Sequence, residues 1–183
     1  MPPETADRTP TASELVAPRP GRGATTAYIL AALVIVVDQI SKVWILERLG
    51  LVAGGPSTEV VWPLRLSMVW NQGVSFGLLS GQADVARWLL VAFSVLISLA
   101  LIWWARRTKS LWSALAFGLI IGGALGNAID RARFGAVVDF IDVSRLGFFP
   151  WVFNVADSAI TLGVILLLIE GFFPPRRRTG TPA

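Results

Sequence analysis

Four apolar stretches, each near the length of a bilayer crossing, constrain this chain more than any other feature. They are residues 25–46, 88–105, 110–129 and 154–173. A hydrocarbon core about 30 Å thick needs about 20 helical residues to span it. The second and third stretches carry no charged residue at all, and the first is apolar up to Val37 before it meets Asp38 and Lys42. With 54% hydrophobic residues and a mean hydropathy of +0.64, the chain lies above the apolar share of soluble domains. The reading is an all-α membrane protein, four transmembrane helices folded as one domain over 25–173.

Residues 1–24 are rich in Pro, Thr, Ala and Arg and have no apolar period, which predicts a disordered tail. Glu4, Asp7 and Glu14, with no small-residue cleavage site after the first apolar run, argue against a secretory signal peptide. Residues 174–183 read as a second, basic tail. Orientation follows from Lys and Arg. The side holding both tails and the loop 106–109 has Arg8, Arg19, Arg22, Arg106, Arg107, Lys109 and Arg176, Arg177, Arg178 against four acids. The rest of the chain has slightly more acids than bases. Both termini are therefore expected in the cytoplasm, with 47–84 and 130–153 outside. Within 47–84, Gly54-Gly55-Pro56 is a turn. Residues 59–69 alternate partly as a strand that Pro63 interrupts, so a small β-containing segment on the outer surface is expected. The net charge of +4 is distributed wrongly for a nucleic-acid face.

The chain has no Cys and no His. Disulfides, thiol nucleophiles, histidine bases and most zinc sites are thereby excluded. Hydrolytic chemistry would have to come from Asp, Glu, Ser, Lys or Tyr. Against that background Asp139 and Asp157 stand out, because ionisable groups at bilayer depth are costly and usually functional. Each also has an ordinary explanation. Asp157 lies three residues after Asn154, the pattern of a capped helix start. Asp139 has Arg131 and Arg133 as possible partners, or faces water. Asp142 competes with Asp139 if that stretch is helical. Asp38 and Lys42 are spaced as an i,i+4 ion pair. Gly118, Gly122, Gly123 and Gly126 suit close helix packing, and the same segment ends in Asn127, Asp130 and Arg131. Asn71 lies in a Gly-rich turn. Asn127, Asp130, Arg131, Asp139, Asn154 and Asp157 all fall at the outer ends of the third and fourth spans. Acids clustered at one level suit a reaction site. A proton relay or small transporter would spread them through the bilayer.

The residues resemble prolipoprotein signal peptidase (signal peptidase II), a bacterial intramembrane aspartyl protease family. The matching blocks are Val37-Asp-Gln-Ile-Ser-Lys42, Asn71-Gln-Gly-Val-Ser-Phe76, Gly122-Gly-Ala-Leu-Gly-Asn-Ala-Ile-Asp-Arg131, Gly135-Ala-Val-Val-Asp-Phe140 and Phe153-Asn-Val-Ala-Asp-Ser158. They occur in family order; the sequence after Asn71 departs mildly from the usual pattern. The resemblance implies Asp139 and Asp157 as the catalytic dyad. It implies Asp38, Lys42, Asn71, Gly123, Asn127, Asp130, Arg131, Asn154 and Ala156 as residues that shape the site or contact substrate. Lys42 and Arg131 are expected to balance Asp38 and Asp130. It further implies a place in the bacterial cytoplasmic membrane, without cofactor or metal; a monomer is expected because the glycine ridge of the third span is spent within the chain. The substrate would be a prolipoprotein whose cysteine carries diacylglycerol, cut just before that cysteine, with membrane lipid as the other partner. The start of the last helix favours charge on Asp157, so a proton shared by the dyad is expected mainly on Asp139. The outer segment 47–84 would serve as a lid.

Overall fold

The computed structural model describes residues 21–73 and 83–172. Its helices are α1 (Arg22–Val43), α2 (Ala83–Ala105), α3 (Leu111–Phe134) and α4 (Val155–Phe172). Strands β1 (Thr58–Val61), β2 (Leu64–Asn71), β3 (Val137–Asp142) and β4 (Val152–Phe153) form one antiparallel sheet in the order β1-β2-β3-β4. All four helices are long and apolar enough to cross a membrane. Helix α1 begins at Arg22, inside the stretch 1–24 expected as a tail. Gly23 packs there against the α2–α3 loop, where an added Cβ would lie 2.7 Å from the Thr108 carbonyl oxygen. The remainder of that tail, Phe173, the basic tail 174–183 and the stretch 74–82 lie outside the described residues.

Helix α3 is central and the other three pack around it. Its glycines allow this. A Cβ on Gly118 would stand 2.7 Å from the Ala27 carbonyl oxygen, and one on Gly122 would stand 2.6 Å from the Val34 Cβ. On the α4 side, a Cβ on Gly123 would collide with the Ala156 carbonyl oxygen. Burial leaves α3 free to keep polar residues in its last turns, and it runs to Phe134, beyond the apolar stretch that ends at 129. It stops at Gly135, whose φ of 80° is a left-handed conformation that suits glycine. Helix α1 continues into one wide π turn, Trp44–Arg48, which turns Ile45 into a small core with Met68, Val138 and Phe140.

The sheet lies at this end of the bundle. Pro63 sits in the β1–β2 hairpin turn, as expected for a residue that cannot donate to a ladder. Strands β3 and β4 were not anticipated. In β3, Val137–Phe140 are buried on both faces, so the apolar run has no period of two. Its strand geometry decides which residues share a side. Val138 and Phe140 face the small core. Asp139 faces the other way, opposite Val69 and diagonal to Asn71. Asp142, three residues on, falls on the face opposite Asp139.

Candidate active site

The polar ends of α1, α3, α4 and β3 meet in two linked layers. In the first, Lys42 Nζ lies 2.8 Å from Asp38 Oδ2 and 2.8 Å from Asp130 Oδ2. All three side chains are almost wholly buried. Asp38 also accepts the Ala156 N–H at 3.0 Å, one of the free donors at the start of α4. Asp130 accepts the Val138 N–H at 3.2 Å. Gln39 donates to Asp130 at 2.9 Å and to Asp38 at 3.2 Å. Gly126 leaves space for Asp38, since a Cβ there would lie 2.7 Å from Oδ2. The layer therefore joins paired charges to backbone donors of both β3 and α4 and ties those elements together.

The second layer contains Asp139 and Asp157. Asn154 links them. Its Nδ2 donates to Asp139 Oδ1 at 2.6 Å, its N–H to Asp157 Oδ2 at 3.3 Å, and its Oδ1 accepts the Asp157 N–H at 2.9 Å. The last two bonds are a reciprocal cap, worth about 1 kcal/mol to a helix start. Asn127 Nδ2 donates to Asp157 Oδ1 at 2.8 Å. Asn71 Nδ2 donates to Asp139 Oδ2 at 2.9 Å. The two layers join through Asn127 Oδ1, which accepts from Lys42 Nζ and from Asn154 Nδ2, each at 3.2 Å.

Among the described residues neither Asp139 nor Asp157 forms an ion pair. Burial raises the Asp139 carboxyl to about 6; the Asn71 and Asn154 amides oppose this, and the Asp157 charge adds to it. Asp142 is held below the usual carboxylate range: its burial would raise it, but bonds from Ser67, from the Ser144 backbone and hydroxyl, and from Arg65 outweigh that. The Arg65–Asp142 pair, at 2.7 Å, thus belongs to the sheet. No three acidic side chains converge as a metal site would require, among the described residues.

Two expected pairings differ. Asp130 takes Lys42, not Arg131, as its cation. Adjacent helical residues point about 100° apart, so with Asp130 turned toward α1, Arg131 points elsewhere. Its guanidinium lies beside Gly73, with Nη2 3.2 Å from where a Cβ would be, and its buried Nε has no hydrogen-bond partner among the described residues. Asp139 likewise pairs with neither Arg131 nor Arg133. A cleft of about 450 Å³ opens beside Asp139, walled by Val69, Trp70, Asn71, Trp151 and Val152. Gln39 was overlooked as a site residue, although it adjoins Asp38 within a recognisable block.

A family model described as signal peptidase (SPase) II matches residues 30–173. The chain belongs to the signal peptidase II family. Among its relatives, a lipoprotein signal peptidase of Caulobacter vibrioides is 53% identical over 147 residues, covering 80% of this chain and 86% of the relative. One from Nostoc punctiforme is 44% identical, covering 84% of this chain and 93% of the relative. The fold also matches a bacterial membrane enzyme solved by the in meso method at 2.3 Å. That match has a TM-score of 0.71 and 31% identity, covering 87% of this chain and 94% of that one. As a signal peptidase II, the chain is a multi-pass membrane protein and a protease.

Proposed function

We propose that the chain is an intramembrane aspartyl endopeptidase that removes the signal peptide from diacylglyceryl-modified prolipoproteins. It cuts the bond before the lipidated cysteine, with Asp139 and Asp157 as its acid/base pair, at the outer face of the bacterial cytoplasmic membrane. Both termini lie in the cytoplasm. The observation that carries this reading is the bare pair. Two carboxylates are tied to one Asn154 side chain and backbone, neither in an ion pair among the described residues, and Asp139 lines an open cleft.

Two nearby carboxylates do not ionise together readily, so one proton is shared across the pair. Burial favours that proton on Asp139. The Asp157 carboxylate takes a proton from water while Asp139 donates its own to the scissile carbonyl oxygen. The hydroxyl oxygen bonds to the carbonyl carbon and a neutral tetrahedral diol results. As the diol collapses, the C–N bond breaks, Asp157 gives its proton to the leaving cysteine nitrogen, and Asp139 recovers its own. The products are a signal peptide with a new carboxyl terminus and a lipoprotein with a free amino terminus. Asn71, Asn127 and Asn154 hold the carboxylates in place. Lys42, Asp38 and Asp130 hold the ends of α1, α3 and α4 together. Arg131 faces the substrate, and its unused donors suit an ester or peptide carbonyl.

The test is cleavage of a diacylglyceryl-modified precursor by folded Asp139→Asn and Asp157→Asn variants. Each is expected to lose about 10²–10⁴-fold in kcat, the scale of general acid–base catalysis. Normal cleavage by either variant refutes the assignment.

A further inference from the structure

Helix α2 carries none of the site residues expected from the sequence, yet one of its side chains reaches the site. Arg87, in the first turns of α2, donates from Nε to the Arg131 carbonyl oxygen at 2.7 Å and from Nη2 to the Ala132 carbonyl oxygen at 2.7 Å. The Arg131 carbonyl also accepts the Gly135 N–H at 3.0 Å. Carbonyls in the last turn of a helix lack intrahelical donors, and a cation there also complements the helix dipole. A planar guanidinium can serve two such carbonyls together, as an ammonium cannot. The fork is itself oriented: its Cζ lies 5.0 Å from the Trp88 ring centroid. The ion pair with exposed Asp84, at 3.9 Å, adds little.

The residue so fixed has a side chain with few polar partners of its own among the described residues. Arg131 makes no ion pair among the described residues, and its buried Nε has no partner. Among the described residues its guanidinium packs beside Gly73 and feels the charges of Asp157, Asp139 and Asp130. Gly73 in turn donates its N–H to Asn71 Oδ1 at 2.8 Å, and Asn71 holds Asp139.

We infer that Arg87 is a positioning residue for Arg131. It clamps the last turn of α3 so that the Arg131 guanidinium stays aimed at the substrate carbonyl. This rests on the proposed function only for the identity of the ligand. Arg87 touches neither aspartate, so its loss acts on binding and not on the chemical step.

Two readouts test it. With the diacylglyceryl precursor, Arg87→Ala is expected to raise KM about tenfold, the scale of one charge-assisted hydrogen bond, and leave kcat within about twofold. Arg87→Lys is expected to recover part of the loss. In an Arg131→Ala background, Arg87→Ala is expected to add nothing to KM, as coupled residues do. The second readout is binding of a non-cleavable diacylglyceryl peptide, which follows the same pattern without chemistry. It therefore stands even if the aspartate assignment fails. The inference is overturned if Arg87→Ala raises KM equally with and without Arg131. It is also overturned if kcat falls at constant KM, or if the melting temperature drops while binding and KM stay unchanged.

Discussion

Two pairs of aspartates lie side by side in this molecule, and they are held differently. Asp38 and Asp130 share a lysine, each 2.8 Å from Lys42 Nζ. Asp139 and Asp157 share an asparagine and take only neutral donors: Asn71, Asn127 and Asn154. A cation between buried carboxylates favours their charge and fixes them. Amides satisfy the oxygens but place no cation between them, so on the proposed function the pair shares a proton. The compensated pair binds elements together, α1 to α3 and the first turn of α4. On the proposed function, the amide-held pair is the one that exchanges protons.

That contrast can be broken from the compensated side first. Lys42→Met leaves two buried carboxylates without a cation. It is expected to destabilise the protein by about 3–5 kcal/mol, the cost of breaking a buried ion pair by removing one partner. Thermal unfolding in detergent measures it, and a melting temperature like the wild type's would mean the lysine layer is not structural. Asn154→Ala strikes both roles at once. Loss of the cap is expected to cost about 1–2 kcal/mol of stability. Loss of the link between the acids is expected to cost about 10²-fold in kcat, because a misplaced catalytic group loses that much. Assaying the folded fraction separates the two effects.

The pH dependence sharpens the comparison further. A carboxyl raised on folding to about 6 binds more protons in the native state than in the unfolded chain. Its contribution therefore favours folding below the ordinary carboxylate range and is lost as pH rises through about 6. The fall in stability between roughly pH 4 and 6 is expected to be shallower in Asp139→Asn, as equilibrium unfolding would record. The kcat/KM is likewise expected to decline as pH rises through the same value, where the shared proton is lost. The smallest effect belongs to Asp142→Asn. It weakens the Arg65 pair and a serine bond, costing about 1 kcal/mol. Cleavage is expected to stay within about threefold, since Asp142 lies on the other face of β3. A large loss of kcat without unfolding would make Asp142 the catalytic acid.

The four crossings were readable because unbroken apolar length and the bilayer set the same scale. The acids were readable because charge is conspicuous beside such runs. Asn154 and Asp157 were readable even as a cap, since capping is local. What could not be read was tertiary. The second acid of Lys42 lies on another helix, and nothing in the spacing from Lys42 to Asp130 indicates it. Strand β3 was hidden because both of its faces are covered. With the strand went the register that sets Asn71 diagonal to Asp139 and turns Asp142 away. Arg87 stood outside every motif, and its partners on α3 are carbonyls, which sequence does not display.

The claim that the amide-held pair keeps a proton is tested most directly by infrared titration of the carboxylic acid band in the intact protein. The expected result is a protonated carboxyl that titrates near 6, is lost in Asp139→Asn and persists unchanged in Asp142→Asn. A band that survives in Asp139→Asn, or that is absent from the wild type at pH values below the transition, would contradict it.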